Sequence, residues 1–208
     1  AELSGSKQAE WRTDPKRSGA GGSIGDIGTH AYNLAAFVTG LETDALVAQL
    51  TTFLPCRLLD DDVQNTSRYT ACARGMPWAS QVAGGNENGL KLRIYGTKGG
   101  LEWTQADPNY LWFTRFGQPK QLLTRAGAGA LPEAARVSRV PSGHPEGYLE
   151  GFATIYAEAA RAIRAARTGD SPDLGTIYPT VHDGLAGMRF IEAAVASSKV
   201  GNVWTKVG

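Results

Sequence analysis

Between residues 45 and 124 the chain repeatedly alternates its side chains at every second position, and short turns join the segments that do so. A period of two belongs to extended strands, and short links between consecutive strands impose antiparallel pairing. Residues 45–54 set Leu46, Ala48, Leu50 and Thr52 on one face against Val47, Gln49, Thr51 and Phe53 on the other. Residues 63–73 are rich in strand formers, and Trp78 to Ala83 returns from the turn Gly75-Met76-Pro77. The clearest strand is Leu90 to Tyr95, with three aliphatics on one face and Lys91, Arg93 and Tyr95 on the other. Gly96-Thr97-Lys98-Gly99-Gly100 turns it into Leu101-Glu102-Trp103; strands at Tyr110 to Phe116 and Gln121 to Thr124 follow.

Helical spacing flanks this block. Ile27, Ala31, Leu34 and Val38 predict a helix over 25–39, stopped by Gly40. A second is expected over 145–168, with Leu149, Phe152, Tyr156, Ala159 and Ile163 as its apolar stripe, Pro145 in its first turn and Gly169 beyond its end. A third opens on the capping box Thr180-Val181-His182-Asp183 and runs to about 198. Residues 1–23 are polar and glycine-bearing, an arm or loop, and the Ala/Gly/Pro-rich stretch 126–143 is a long surface loop. One helix, six or more strands and two helices predict an α+β fold. It is an open-faced, mainly antiparallel sheet with helices on one face, and residues 1–208 form a single domain. The other face carries Gln49, Thr51, Lys91 and Arg93, too polar for a second core, so solvent or another protein surface meets it.

Charge narrows the partners. Lys and Arg number 21 against 20 Asp and Glu, a net charge of +1, with no basic stripe. Nucleic acid and anionic membrane are therefore excluded as partners. No apolar run approaches the roughly 20 residues that span a bilayer, and the opening residues lack the features of a secretory signal. Cys56 and Cys72 are expected as free, buried, reduced thiols in strand segments, which suits the cytoplasm.

Chemistry concentrates in Gly21-Gly22-Ser23-Ile24-Gly25-Asp26-Ile27-Gly28-Thr29-His30. Asp26 and His30 stand at i and i+4, one above the other on a helix, so the carboxylate can fix the ring tautomer while the second nitrogen exchanges a proton. Oxidation of a hydroxyl to a carbonyl needs such a base. The plainer alternative is a half-buried histidine satisfied by Asp26. Arg12, Lys16 and Arg17 could hold an anionic or polyhydroxylated substrate, or be solvated. His144 and Tyr148, again at i and i+4, either face a ligand or serve as a helix-start histidine and a core tyrosine; His182 faces solvent at a helix cap. Three histidines without HExxH, CxxC or His-x-His spacing argue against a metal site. Gly96 to Gly100 joins two strands, so it is a hairpin turn rather than a phosphate cradle. Trp78, Trp103, Trp112 and Trp204 are expected to fill core or interface.

Several segments, in order along nearly the whole chain, resemble the glucose–fructose oxidoreductase / inositol dehydrogenase (Gfo/Idh/MocA) family. They are Trp11 to Gly19, Gly21 to His30, Ala79-Ser80-Gln81-Val82-Ala83, Tyr95 to Trp103, His144-Pro145-Glu146-Gly147-Tyr148, Pro179 to Gly184 and Phe190-Ile191-Glu192-Ala193. The resemblance implies a substrate-binding and oligomerisation domain, with the N-terminal Rossmann domain and the family's Glu-Lys-Pro segment absent from this chain. It implies Asp26 and His30 as the Asp-x-x-x-His motif whose histidine accepts the proton of a sugar hydroxyl, and a homo-oligomer through the open sheet face. It further implies NAD or NADP in the complete enzyme, a small sugar or polyol substrate, and neither cofactor nor activity for this chain alone. A stand-alone binding or assembly module is the alternative.

Overall fold

The computed structural model describes residues 7–55, 57–171 and 177–208; Cys56 and residues 1–6 lie outside them. In chain order the elements are α1 (Lys7–Arg12), α2 (Pro15–Ser18), a π-helical turn (Ile24–Gly28), α3 (Thr29–Thr39), β1 (Thr43–Thr51), β2 (Asp62–Tyr69), β3 (Arg74–Gly75) and β4 (Trp78–Ser80). Then come β5 (Lys91–Gly96), β6 (Gly99–Thr104), β7 (Tyr110–Arg115), β8 (Gln121–Thr124), α4 (Pro132–Val137), α5 (Tyr148–Thr168), α6 (Val181–Lys199) and β9 (Thr205–Lys206). The fold is α+β, and every strand pairing is antiparallel. The strands form two hydrogen-bonded sheets, and the chain clusters into two compact units.

The first unit takes the residues up to Asn86 together with Val181–Gly208. Its sheet runs β3-β2-β1-β9, with β4 also on β2. Leu46 and Ala48 of β1 turn inward with Val63 of β2, and α6 covers them with Phe190, Ala193, Ala194 and Val195. Phe190 is fully buried and stacks on Tyr32 of α3 at 4.4 Å between ring centroids. Burying a side chain of that size stabilises by about 2–3 kcal/mol. β9 reaches β1 only at Ala45 and Leu46. Beyond that point the strand's free N–H groups find another partner: Ala48 and Leu50 donate to Ser197 Oγ (3.0 Å) and Ser198 Oγ (3.1 Å) at the end of α6. The helix thereby closes a sheet edge that would otherwise stay open.

The second unit spans Glu87–Thr180, with sheet order β5-β6-β7-β8. Gly96 pairs with Gly99 across the two-residue turn Thr97-Lys98. Gly99 has φ +156° and lies so close to the Thr114 carbonyl that a Cβ would overlap it. The hairpin turn expected there is present. Register sets Arg93, Glu102, Trp112 and Leu122 side by side on one face. On that face Lys120 pairs with Glu102 (3.0 Å) and lies over the Trp112 ring. In the helical part, Glu158 of α5 is buried and pairs with Arg136 of α4 (2.7 Å) and with Arg161 (2.6 Å).

The chain departs from its sequence pattern at several places. Residues 1–23, expected as an arm or loop, carry α1 and α2; Asp14 caps α2 by accepting from the Lys16 N–H (2.9 Å), and Pro15 opens it. The stretch 126–143, expected as loop, contains α4, again opened by a proline. β2 ends at Tyr69 rather than at 73, because Ala71 and Cys72 take positive φ, 56° and 64°, which no strand allows. Cys72 is accordingly an exposed free thiol in a tight turn, not a buried strand residue. β4 stops at Ser80 rather than at Ala83. The helix expected from 145 starts at Tyr148, since Asn109 already holds both main-chain groups of Glu146.

Candidate active site

The glycine pair is shaped by an acid far along the chain. Gly22 meets the loop before β2 so closely that a Cβ would overlap the Asp60 carbonyl oxygen, so only glycine passes there. The buried Asp60 carboxylate then accepts from the Gly22 N–H, from Ser23 Oγ (2.9 Å) and from the Ile24 N–H (2.9 Å). Its main-chain oxygen accepts the Ser23 N–H at 2.8 Å. A carboxylate at a helix start satisfies donors that the helix cannot and lies well in its dipole. What it caps is a π turn, Ile24–Gly28, which runs directly into α3. Single π turns are rare and frequent at functional sites.

Asp26 sits in that turn and His30 just past it, in the first turn of α3. The Asp26 carboxylate is anchored through one oxygen: Oδ2 accepts from Gln81 Nε2 at 3.0 Å and lies 3.5 Å from Arg12 Nη1. The expected hydrogen bond from the His30 ring is not made among the described residues. A π turn closes i to i+5 and so widens the helix, which removes the i, i+4 stacking that an α-helix would give this pair. Oδ1 of Asp26 has no hydrogen-bond partner among the described residues, and the His30 ring is exposed. An anchored carboxylate with one unengaged oxygen, close in sequence to an accessible imidazole, can orient a proton-transfer base once a ligand tightens the geometry.

The other candidates are more dispersed. Arg12 joins Asp26, whereas Lys16 is exposed on α2. In the second unit His144 precedes α5, so it and Tyr148 do not share a helical turn. Arg125 Nη2 donates to the His144 main-chain oxygen at 2.6 Å, and Tyr148 packs its exposed ring on Phe152 at 4.7 Å. His182 is exposed in the first turn of α6. Among the described residues no group of three or more His, Cys, Asp and Glu is placed to hold a metal ion. No helix among them is long and apolar enough to cross a membrane.

Gln81 and Asp60 escape sequence reasoning because they act across 55 and about 37 residues. The visible signals are the family-like segment Ala79-Ser80-Gln81-Val82-Ala83 and the acid run Asp60-Asp61-Asp62 beside the strand block. All three are buried and engaged: Asp61 accepts from the Phe53 and Leu54 N–H groups, and Asp62 from the Trp78 indole.

A dinucleotide does not suit either glycine-rich segment. Pyrophosphate needs free N–H groups at a helix start. At Gly21–Ile24 the Asp60 carboxylate already takes those donors, and Gly96–Gly100 leads into a strand.

Comparison with known proteins gives the context. Residues 2–102 match the GFO/IDH/MocA C-terminal domain. Over 201 residues the chain is 32% identical to the uncharacterized oxidoreductase YfiI of Bacillus subtilis, covering 95% of this chain and 51% of that protein. An oxidoreductase from Sinorhizobium meliloti is 62% identical with a TM-score of 0.85, over 88% of this chain and 52% of its own. An inositol dehydrogenase homolog from Azotobacter vinelandii superposes in its NAD+ complex with a TM-score of 0.93, at 33% identity, over 97% of this chain and 53% of its own. Its complex with NADH and myo-inositol gives 0.90 at 32% identity, over 97% and 52%. The chain thus spans about half the length of the relatives it matches. With its antiparallel sheets, its helices and its motifs in order, the chain belongs to the Gfo/Idh/MocA family and corresponds to its C-terminal domain.

Proposed function

We propose that this chain is the substrate-side domain of an NAD(P)-dependent oxidoreductase that oxidises a sugar, a polyol or a related cyclic alcohol. His30 accepts the proton of the substrate hydroxyl while hydride leaves the same carbon, so that the C–O bond becomes a carbonyl. The hydride acceptor is a nicotinamide held by another part of the complete enzyme; this chain alone is expected to be inactive. Asp26 orients the imidazole through Oδ1 and stabilises its protonated form. The observation that carries this reading is the anchoring of Asp26 by Gln81 and Arg12 immediately before an exposed His30. The relatives support the substrate class, since an inositol dehydrogenase homolog of the same fold has been crystallised with NADH and myo-inositol.

Lys16, exposed on α2, is proposed to contact substrate hydroxyls in the first unit. His144 and Tyr148 are proposed as substrate contacts separately, in the second. The face bearing Trp112, Leu122 and Arg93 mixes exposed aromatic, aliphatic and charged groups, a composition that supports homo-oligomer contact. The enzyme is proposed to be cytoplasmic, with its free Cys72 thiol as support.

Steady-state kinetics of the complete enzyme test the proposal. His30→Ala should lower kcat by about 100-fold or more while the affinity for NAD(P) is retained. Turnover equal to that of the unmutated enzyme would defeat the assignment.

A further inference from the structure

We infer that Gln81 is a positioning residue for this proton transfer, acting on His30 through Asp26. The inference rests on the reading of His30 as proton acceptor and assigns a role to a residue beyond the Asp-x-x-x-His pair. A carboxylate can only accept, so the 3.0 Å contact between Gln81 and Asp26 Oδ2 fixes the amide with its N–H toward Asp26. That donor has a rigid base. The Gln81 main-chain N–H donates to the Asp61 carbonyl at 2.8 Å. Asp61 is fully buried, its own N–H donates to Thr51, and its two carboxylate oxygens accept from Phe53 (2.8 Å) and Leu54 (2.9 Å). The loop between β1 and β2 is thereby locked to the residue that holds Asp26.

Chemistry explains why an amide serves here. Gln81 and Arg12 both address Oδ2, which leaves Oδ1 for the imidazole. A neutral amide adds a directional donor to a carboxylate that Arg12 already pairs, and so fixes its orientation without bringing a second positive charge to it. A glutamate at 81 would instead oppose Asp26 with a like charge.

The test uses the complete enzyme carrying Gln81→Ala, Asp26→Ala, both together, and Gln81→Glu. Gln81→Ala is expected to lower kcat about tenfold, because a base held out of register loses rate steeply, with KM for NAD(P) unchanged. Added to Asp26→Ala it should cost less than about twofold more, since no carboxylate is left to hold. Gln81→Glu, which keeps the side-chain volume, should be at least as slow as Gln81→Ala. Losses that multiply independently, or a Gln81→Ala or Gln81→Glu enzyme with full kcat, would overturn the inference. A fast His30→Ala enzyme sinks the underlying base assignment, whereas a slow His30→Ala beside a fast Gln81→Ala sinks only the role of Gln81.

Discussion

The residues of the candidate site divide by how far along the chain they reach. Asp26 and His30 are legible in the sequence because they are near neighbours behind a glycine-rich approach. Their partners are not. Asp60 reaches the Gly22–Ile24 turn, and Gln81 reaches Asp26, through contacts that only the folded sheet creates. The spacing also misled in one respect: i and i+4 imply stacking on an α-helix, and this pair straddles a π turn. Asp60 carries a prediction of its own. Asp60→Ala removes the acceptor of two N–H groups and a hydroxyl at a buried helix start, a loss of about 2–4 kcal/mol. Urea denaturation measures it; a change below about 1 kcal/mol would mean that other groups satisfy the turn.

At the scale of elements, period-two alternation located the strands, and helical spacing with Gly40 and Gly169 located two helix ends, both left-handed in the fold. Boundaries were harder where local chemistry overrides pattern. Ala71 and Cys72 leave the strand region, and Pro132 starts a helix inside an apparent loop. That helix, α4, is tied to α5 through the buried Glu158. The hydrogen bond from Arg136 holds the Glu158 carboxyl below its ordinary range against the opposing effect of burial, helped by the Ile177 N–H and by Arg161. Because folding depresses this carboxyl, its stabilisation is complete above the ordinary value of 4.5 and disappears as pH falls through the lower folded value. Protection factors of the amides in α4 and α5, corrected for the intrinsic pH dependence of exchange, should therefore fall on acidification below that value. Glu158→Gln should show weaker protection at neutral pH and a flatter acid response; an acid response identical to that of the unmutated chain would contradict the account.

For the whole molecule, the α+β class and the antiparallel pairing followed from the order of elements, since short links permit little else. The division of strands into two sheets did not. It falls at Gln81–Leu90, where Gly84, Gly85 and Gly89 interrupt the strand pattern between β4 and β5. The functional account joins a proton-accepting side on this chain to a nicotinamide carried elsewhere. Its central claim is that the His30 imidazole takes the proton. The measurement that tests this most directly is chemical rescue: polyol-dependent NAD(P) reduction by the complete His30→Ala enzyme, recorded as free imidazole is added. The account predicts that the slow variant regains rate with rising imidazole while the unmutated enzyme does not respond. A folded His30→Ala enzyme that stays slow at every imidazole concentration, or one that needs no rescue, would contradict it.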